Sequence, residues 1–130
     1  MKLLLDTHIW LWGFGDAKRL PARIAKAINA TDNELWLSPI SVWEVELLIE
    51  AGRLRMKGDP QRWIANALEV SRLTEAPVTY EVARESRRIG LAHQDPADRF
   101  IAATASVYDL VLATVDQRLL AGTGFRTIGV

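Results

Sequence analysis

Short, unbroken apolar runs alternate with helical patterns along the chain, and this order constrains the fold more than any other feature. Residues 3–5, 35–37 and 110–113 are such runs, typical of strands that are covered on both faces. Helical periodicity is found over residues 22–30, 40–51, 60–72, 81–89 and 96–107. Because strands that alternate with helices usually pair in parallel, the sequence predicts a three-layer α/β/α fold, a parallel β-sheet flanked by α-helices.

Weaker patterns complete this outline. Residues 77–79 and 127–130 are weaker strand candidates, and residues 117–120 form a short helical segment. Residues 13–16 and 51–59 have the composition of loops or turns. The chain has 130 residues and no linker, repeat or low-complexity tract. We therefore expect residues 1–130 to form a single domain.

Composition narrows the functional classes. Sixteen basic residues balance sixteen acidic ones, so any contact with nucleic acid has to be local. The absence of cysteine excludes disulfides and thiolate metal sites and is consistent with the cytoplasm. Apolar stretches fall short of the roughly 20 residues of a membrane span, and Asp6 interrupts the apolar start of the chain before a signal peptide is complete. We expect a cytoplasmic protein with no membrane partner.

Two acids follow predicted strands at equivalent positions. Asp6 comes directly after the run at 3–5, and Asp116 comes directly after residues 112–115. Each is also placed to cap a short helix, which is the plain structural interpretation. The carboxyl ends of parallel strands line one edge of a sheet, where such folds bind their ligands. Both carboxylates are therefore candidates for one site at that edge.

Glu44 lies inside the helix that Ser38 and Pro39 are predicted to begin. Its neighbours are apolar on most sides, so an ionised carboxylate there needs a partner or a metal ion. The alternative is an exposed stripe that holds Glu44 and Glu50. Ser41, three residues before Glu44, shares its face and is placed to hydrogen-bond the carboxylate or a bound water. Glu44 is a third candidate for the acidic pocket.

A fourth acid lies at the start of the last long helical pattern. Asp95, followed by Pro96, is predicted to cap this helix. Asp98 lies one turn further on, where a carboxylate also interacts favourably with the helix dipole. The apolar residues 100–103 indicate that the helix is buried. Asp98 is therefore a better ligand candidate than Asp95.

Four carboxylates in one pocket repel one another, and a divalent cation relieves that repulsion. The four candidates are Asp6, Glu44, Asp98 and Asp116. Oxygen ligands without cysteine favour a hard ion such as Mg²⁺ or Mn²⁺. One or two such ions can activate water for attack on phosphorus. The pattern favours metal-dependent hydrolysis of a phosphodiester.

Four short motifs contain these acids, in order and over nearly the whole chain. They are Leu4-Leu5-Asp6-Thr7-His8, Ser38-Pro39-Ile40-Ser41-Val42-Trp43-Glu44, His93-Gln94-Asp95-Pro96-Ala97-Asp98-Arg99 and Ala113-Thr114-Val115-Asp116. Together they resemble a PIN-domain ribonuclease of the VapC toxin type. The resemblance implies a PIN-like fold, ligation of Mg²⁺ or Mn²⁺ by the four acids, and cleavage of single-stranded or loop RNA to a 5′-phosphate and a 3′-hydroxyl. It also implies a homodimer that a cognate antitoxin inhibits at or near the active-site groove.

Other residues of the motifs agree with this family or depart from it slightly. Small hydroxyl residues that family members often place around the acids are present as Thr7, Ser41 and Thr114. Gln94 and Ala97 stand where bulkier or basic residues are common, and Gln117 stands where a basic residue is common. These departures bear on the choice of substrate and not on metal binding.

Several aromatic and basic residues have plainer interpretations. The tryptophans fit a core or a protein interface better than stacking on RNA bases. Trp10 and Trp12 point to opposite sides of a helix, so we expect one of them to meet a partner. His8 and His93 are interpreted as structural hydrogen-bonding groups. Arg99 is placed either to balance the acids or contact phosphate, or to form a surface ion pair.

Two other functional classes are alternatives. A non-catalytic PIN-like module that binds RNA or protein has no physical reason to keep four mutually repulsive acids. A phospho-acceptor receiver domain also groups acids at strand ends, but it requires paired acids early in the chain and a late lysine, and neither is evident.

Overall fold

The computed structural model describes residues 1–70 and 72–130, and five strands of these residues form one parallel sheet. The strands are β1 (Lys2–Leu5), β2 (Glu34–Leu37), β3 (Leu73–Glu75), β4 (Val111–Ala113) and β5 (Arg126–Ile128). Their order across the sheet is β3-β2-β1-β4-β5, and every pairing is parallel. The most apolar runs of the sequence therefore occupy the centre of the sheet.

Helices connect the strands, and several of them begin at side-chain caps. They are α1 (Thr7–Phe14), α2 (Ala22–Asn29), α3 (Pro39–Glu50), α4 (Pro60–Val70), α5 (Tyr80–Glu85), α6 (Pro96–Val107) and α7 (Gln117–Leu120), with a 3₁₀ turn at Ala17–Arg19. Ser38 caps α3 by accepting a hydrogen bond from the Ile40 amide at 3.0 Å. Asp95 caps α6 in the same way, from the Ala97 amide at 3.0 Å. Both caps confirm the prediction.

The central strand β1 shows why helices cover both faces of the sheet. Leu3, Leu4 and Leu5 are all fully buried, although successive side chains of a strand point to opposite faces. Leu3 and Leu5 pack in one apolar cluster with Trp10 of α1, whereas Leu4 packs in a second cluster with Ile101 of α6. This burial on both faces agrees with the predicted three-layer α/β/α fold.

The strand order reverses at β1, and this reversal creates a crevice. The chain runs outward from β1 to β2 and β3, then crosses to β4 on the other side of β1. Leu5 and Ala113 pair at the carboxyl ends of β1 and β4. Open parallel sheets bind ligands at such a reversal. Asp6 leaves the sheet at this point, and Asp116 follows three residues after Ala113.

One predicted strand is wrong. Residues 77–79 form no strand, and the edge strand is β3 instead. Pro77 has no amide hydrogen for a ladder, and the Thr79 hydroxyl accepts a hydrogen bond from the Val82 amide at 3.2 Å, which caps α5. β3 is largely exposed, so its sequence carries no apolar run that could have revealed it.

Several element boundaries also differ from the prediction. α5 ends at Glu85 rather than at residue 89, and α1 continues through residues 13 and 14, which had the composition of a loop. The helix predicted over 60–72 ends at Val70, and Ser71 lies outside the described residues. In the described ranges, no helix has the length and apolar character needed to cross a membrane.

Candidate functional site

Asp6 is held by donors from two neighbouring strand ends. The residue is 8% exposed, and its Oδ1 accepts a hydrogen bond from the Thr7 amide at 2.9 Å. Its Oδ2 accepts from the hydroxyl of Thr114, a fully buried residue that follows β4, at 2.7 Å. Thr114 Oγ1 in turn accepts from the Asp116 amide at 3.0 Å. Asp6 is thus both a helix cap and part of the junction between β1 and β4.

Thr7 connects Glu44 to this junction. The Thr7 hydroxyl donates to Glu44 Oε1 at 2.5 Å, and a further hydrogen bond of 3.0 Å joins the Thr7 and Ser41 hydroxyls. Ser41 is fully buried and Glu44 is half-buried on α3. The sequence predicted that Ser41 bonds to the Glu44 carboxylate or to a bound water. Ser41 instead bonds to Thr7, which holds the carboxylate.

Asp98 lies in the first turn of α6 and is 7% exposed. Its Oδ2 is 3.5 Å from Arg118 Nη2 and 3.6 Å from His93 Nε2. His93 Nδ1 accepts a hydrogen bond from the Asp95 amide at 3.4 Å. In the neutral ring the proton is therefore on Nε2, on the side of Asp98. Asp98 has a cation on one side and the His93 imidazole on the other, at a distance too long for a hydrogen bond.

Asp116 caps α7 and pairs with an arginine of the same helix. Its Oδ1 accepts from the Arg118 amide at 2.8 Å, and its Oδ2 lies 3.1 Å from Arg118 Nη2. The same nitrogen contacts Asp98. One guanidinium therefore joins the acid after β4 to the acid at the start of α6.

Burial makes the carboxyl groups of Asp6 and Glu44 harder to ionise. Loss of hydration raises the pKa of both carboxyl groups above their ordinary values. Hydrogen bonds from Thr114 and Thr7 oppose the shift at Asp6, and the bond from Thr7 opposes it at Glu44. The negative charge of Asp6 raises the pKa of Glu44 further. These two acids are therefore harder to ionise than exposed ones.

The pKa values of Asp98 and Asp116 shift in opposite directions. Burial is the main cause that raises the pKa of Asp98 to about 7, and the negative charges of Asp95, Asp6, Asp116 and Glu44 add to it. Burial also acts on Asp116, but the hydrogen bonds and charge of Arg118 outweigh it, and the pKa falls below its usual range. Asp98 therefore lies within electrostatic range of the other three acids.

The chemistry of this donor set fits a hard divalent cation. All four side chains offer carboxylate oxygens, which Mg²⁺ and Mn²⁺ prefer. Among residues 1–70 and 72–130, neither Asp6 nor Glu44 has an ion-pair partner, so the protein leaves their charges unbalanced. In the same ranges, no three acidic or histidine side chains are close enough in their observed rotamers to hold an ion. Hydroxyls and the Arg118 guanidinium take up the oxygens instead.

Comparison with known proteins decides the family. A model of the PIN domain matches residues 3–124. The chain belongs to the PIN-domain family. This PIN domain is also similar to Ribonuclease VapC22 of Mycobacterium tuberculosis, with 33% identity over 120 residues that cover 90% of this chain and 88% of the relative. The resemblance predicted from the four sequence motifs is confirmed.

Solved structures agree with the fold of this PIN domain. A chain of VapBC2 from Rickettsia felis, bound to a DNA fragment from their promoter, matches with a TM-score of 0.74 and 17% identity over 99% of this chain and 98% of that chain. A chain of DNA-bound VapBC from Salmonella typhimurium matches with a TM-score of 0.68 and 23% identity over the same shares. At these identities the similarity concerns the fold, and it confirms the predicted PIN-like α/β arrangement.

Arg99 is not the surface or phosphate-contacting residue that the sequence suggested. It is 4% exposed, and its guanidinium donates to backbone carbonyls at 2.8–3.1 Å. The acceptors are the carbonyls of Ser86, Ile89, Leu91 and His93. These carbonyls lie in the segment between α5 and α6. Arg99 therefore fixes the segment that carries His93 beside Asp98 in this PIN domain.

Two residues near the acids were missed or undervalued in the sequence. Arg118 follows Asp116 by two positions, and this spacing on a short helix is the signal that could have revealed it. His93 was interpreted as structural, and its imidazole lies 3.6 Å from Asp98. Trp10 is fully buried and Trp12 is half-buried under the Arg19 guanidinium, so a partner contact at Trp12 stays a prediction.

Proposed function

We propose that this protein is a Mg²⁺- or Mn²⁺-dependent endoribonuclease that acts as the toxin of a toxin–antitoxin pair. The observation that carries the proposal is the grouping of Asp6, Glu44, Asp98 and Asp116 at the carboxyl edge of the sheet of a PIN domain. The similarity to a protein named as a ribonuclease supports RNA as the substrate.

The four acids would hold the cation. When bound, the ion polarises the phosphate and lowers the pKa of water, so that water can attack phosphorus at neutral pH. Thr114 fixes the orientation of Asp6, and Thr7 fixes that of Glu44. Carboxylates that are already held in place lose little conformational freedom when they bind a metal ion. Residues behind a metal site usually contribute in this way. Attack of water on phosphorus breaks the P–O3′ bond and leaves a 5′-phosphate and a 3′-hydroxyl.

Charge balance is the physical reason that a non-catalytic binding module is the weaker candidate. Burial raises the pKa values of Asp6, Glu44 and Asp98. A module that bound RNA without a metal would place these negative charges against the phosphate backbone, which repels them. A divalent cation removes this conflict because it attracts both the acids and the phosphate.

We also propose that residues 1–130 act as one PIN-like domain in a cytoplasmic homodimer that a cognate antitoxin inhibits. Trp43 and Leu47 lie one turn apart on α3 and are 50% and 42% exposed. Aromatic and aliphatic side chains of this kind form the buried centre of protein interfaces. Their exposure next to Glu44 supports a protein partner near the acidic pocket.

Cleavage of a defined RNA by the purified protein tests this proposal. Wild-type protein should cleave with Mg²⁺ or Mn²⁺ and stop in excess chelator, whereas Asp6→Asn and Asp98→Asn should remove cleavage and keep the far-UV circular dichroism spectrum. Asp109→Asn is the matched control, because Asp109 is exposed and precedes β4 at the opposite end of the strand. Asn also accepts the positive φ of this residue. Equal cutting by all variants would exclude the mechanism.

Expression in cells separates a toxin from a binding module. The wild-type chain should arrest growth, co-expression of the adjacent gene should relieve the arrest, and Asp98→Asn should not arrest growth at all. Growth arrest by Asp98→Asn at wild-type strength would favour a binding module.

A further inference from the structure

We propose that Arg118 exchanges partners: it pairs with Asp98 and Asp116 in the metal-free protein and binds a phosphate of the RNA once a cation takes these carboxylates. This inference rests on the proposed function, and it gives a specific role to a residue that lies outside the four acidic motifs.

One nitrogen atom of Arg118 contacts carboxylate oxygens that a cation would also need. Arg118 Nη2 is 3.1 Å from Asp116 Oδ2 and 3.5 Å from Asp98 Oδ2, so it bridges two of the four acids. A divalent cation held by the same acids would need these carboxylate oxygens as ligands. Two cations at such short range repel each other strongly. Binding of the ion therefore requires the guanidinium to withdraw.

The side chain of Arg118 is free to move. Its side chain is 58% exposed, and exposed ion pairs contribute little to stability. The helix cap does not depend on the guanidinium, since Asp116 Oδ1 accepts from the Arg118 backbone amide. Arg99 provides the contrast, because it is 4% exposed and fixed by backbone carbonyls. Withdrawal of Arg118 thus leaves the local fold intact.

Space into which the Arg118 guanidinium can move lies beside the acids. A cavity of about 440 Å³ is lined by Ala92, His93, Gln117, Arg118, Ala121 and Gly122. Arg118 belongs both to this cavity and to the acidic pocket, so a rotation of its side chain carries the guanidinium from one to the other. A guanidinium matches the geometry of a phosphate through paired hydrogen bonds. Because the protein has no net charge, RNA needs local contacts of this kind.

Opposite effects on metal and RNA distinguish this exchange from a structural role. The variant Arg118→Met removes the charge and retains the length of the side chain. Its Mn²⁺ affinity, measured by the electron paramagnetic resonance of free Mn²⁺, should increase roughly two- to fivefold because a competing exposed ion pair is gone. Its KM for RNA should rise, and the slope of log KM against log salt should decrease by about 0.7, the loss of one phosphate contact.

Two further variants complete the experiment. Arg118→Lys keeps the charge and should restore most of the salt slope. Arg126→Met is the matched control, because Arg126 is 61% exposed, pairs with Asp109 at 2.9 Å, and begins β5 at the opposite end of the sheet from the acids. It should change neither Mn²⁺ affinity nor the salt slope.

The outcomes separate this inference from the proposed function. If wild-type protein neither binds Mn²⁺ nor cleaves RNA, both the proposed function and the role of Arg118 are wrong. If wild-type protein does both and Arg118→Met leaves Mn²⁺ affinity or the salt slope at the wild-type value, only the role of Arg118 falls. Weaker Mn²⁺ binding by Arg118→Met would also overturn it.

Discussion

Thr114 donates a 2.7 Å hydrogen bond to Asp6, and this bond joins residues that are 108 positions apart in the sequence. It ties the carboxyl end of β1 to that of β4, the two strands at which the sheet order reverses. The candidate site is therefore organised by a buried hydroxyl as well as by its acids.

Thr114→Val should impair the site and also lower stability. Valine has nearly the same shape as threonine but leaves Asp6 Oδ2 without its donor, which costs about 1–3 kcal/mol for a buried group. Loss of the residue that orients a ligand typically lowers metal affinity or activity roughly 10–100-fold. Mn²⁺ titration and urea unfolding measure the two effects. Thr114→Ser keeps the hydroxyl and should remain near wild type. If valine behaved like serine, the hydrogen bond would have no role.

Metal affinity should depend on pH around neutrality. Asp98 has a pKa of about 7, and only its ionised form is a ligand. As pH falls below 7, a proton competes with the ion, and apparent Mn²⁺ affinity should decrease by about tenfold per pH unit for one displaced proton. Mn²⁺ titrations from pH 5.5 to 8.5 test this prediction. The control variant Asp109→Asn should show the same pH dependence of Mn²⁺ affinity as wild type. A constant affinity across this range would contradict the prediction.

The stability of the metal-free protein should fall as pH rises. The pKa of Asp98 is higher in the folded state, about 7, than its ordinary value of 3.8, so the folded state binds the proton more tightly. Its contribution is fully present below about pH 4 and is lost as pH rises through 7. Asp98→Asn lacks this titration, so in chelator it should melt several degrees above wild type at pH 8 and close to it at pH 4. Equal differences at both pH values would contradict this assignment.

Arg99→Lys should destabilise the fold although it keeps the charge. A lysine ammonium cannot reach all four carbonyls that the guanidinium contacts, and buried acceptors left without donors cost about 1–3 kcal/mol each. We expect the free energy of unfolding to fall by about 2–5 kcal/mol. Arg87→Lys is the matched control, since Arg87 is exposed and bonds to Gln94, and its effect should stay within about 0.5 kcal/mol. A loss of similar size in both variants would contradict this role.

The sequence was most informative where local and tertiary requirements coincide. Leu3–Leu5 and the run before Thr114 were recognised as strands because central strands of a parallel sheet must be apolar on both faces. Ser38 and Asp95 were recognised as caps because a cap depends on residues two or three positions away.

Elements that depend on distant partners were predicted poorly. β3 is an exposed edge strand whose pairing with β2 leaves no apolar pattern in its own residues. Arg99 looked like a surface charge because the carbonyls that bury it lie 6 to 13 positions away, in a segment with no recognisable motif.

The sequence by itself indicated a parallel α/β fold and four candidate acids, because apolar periodicity and capping are local properties and the motifs kept their order. Only the tertiary structure decided how the acids are held: Asp6 by Thr114, Glu44 by Thr7, and Asp98 and Asp116 by Arg118. The physical reason is that burial, hydrogen bonding and charge repulsion depend on distances between residues that are remote in the chain. Burial, with the added negative charges of neighbouring acids, raises the pKa of Asp98 to about 7.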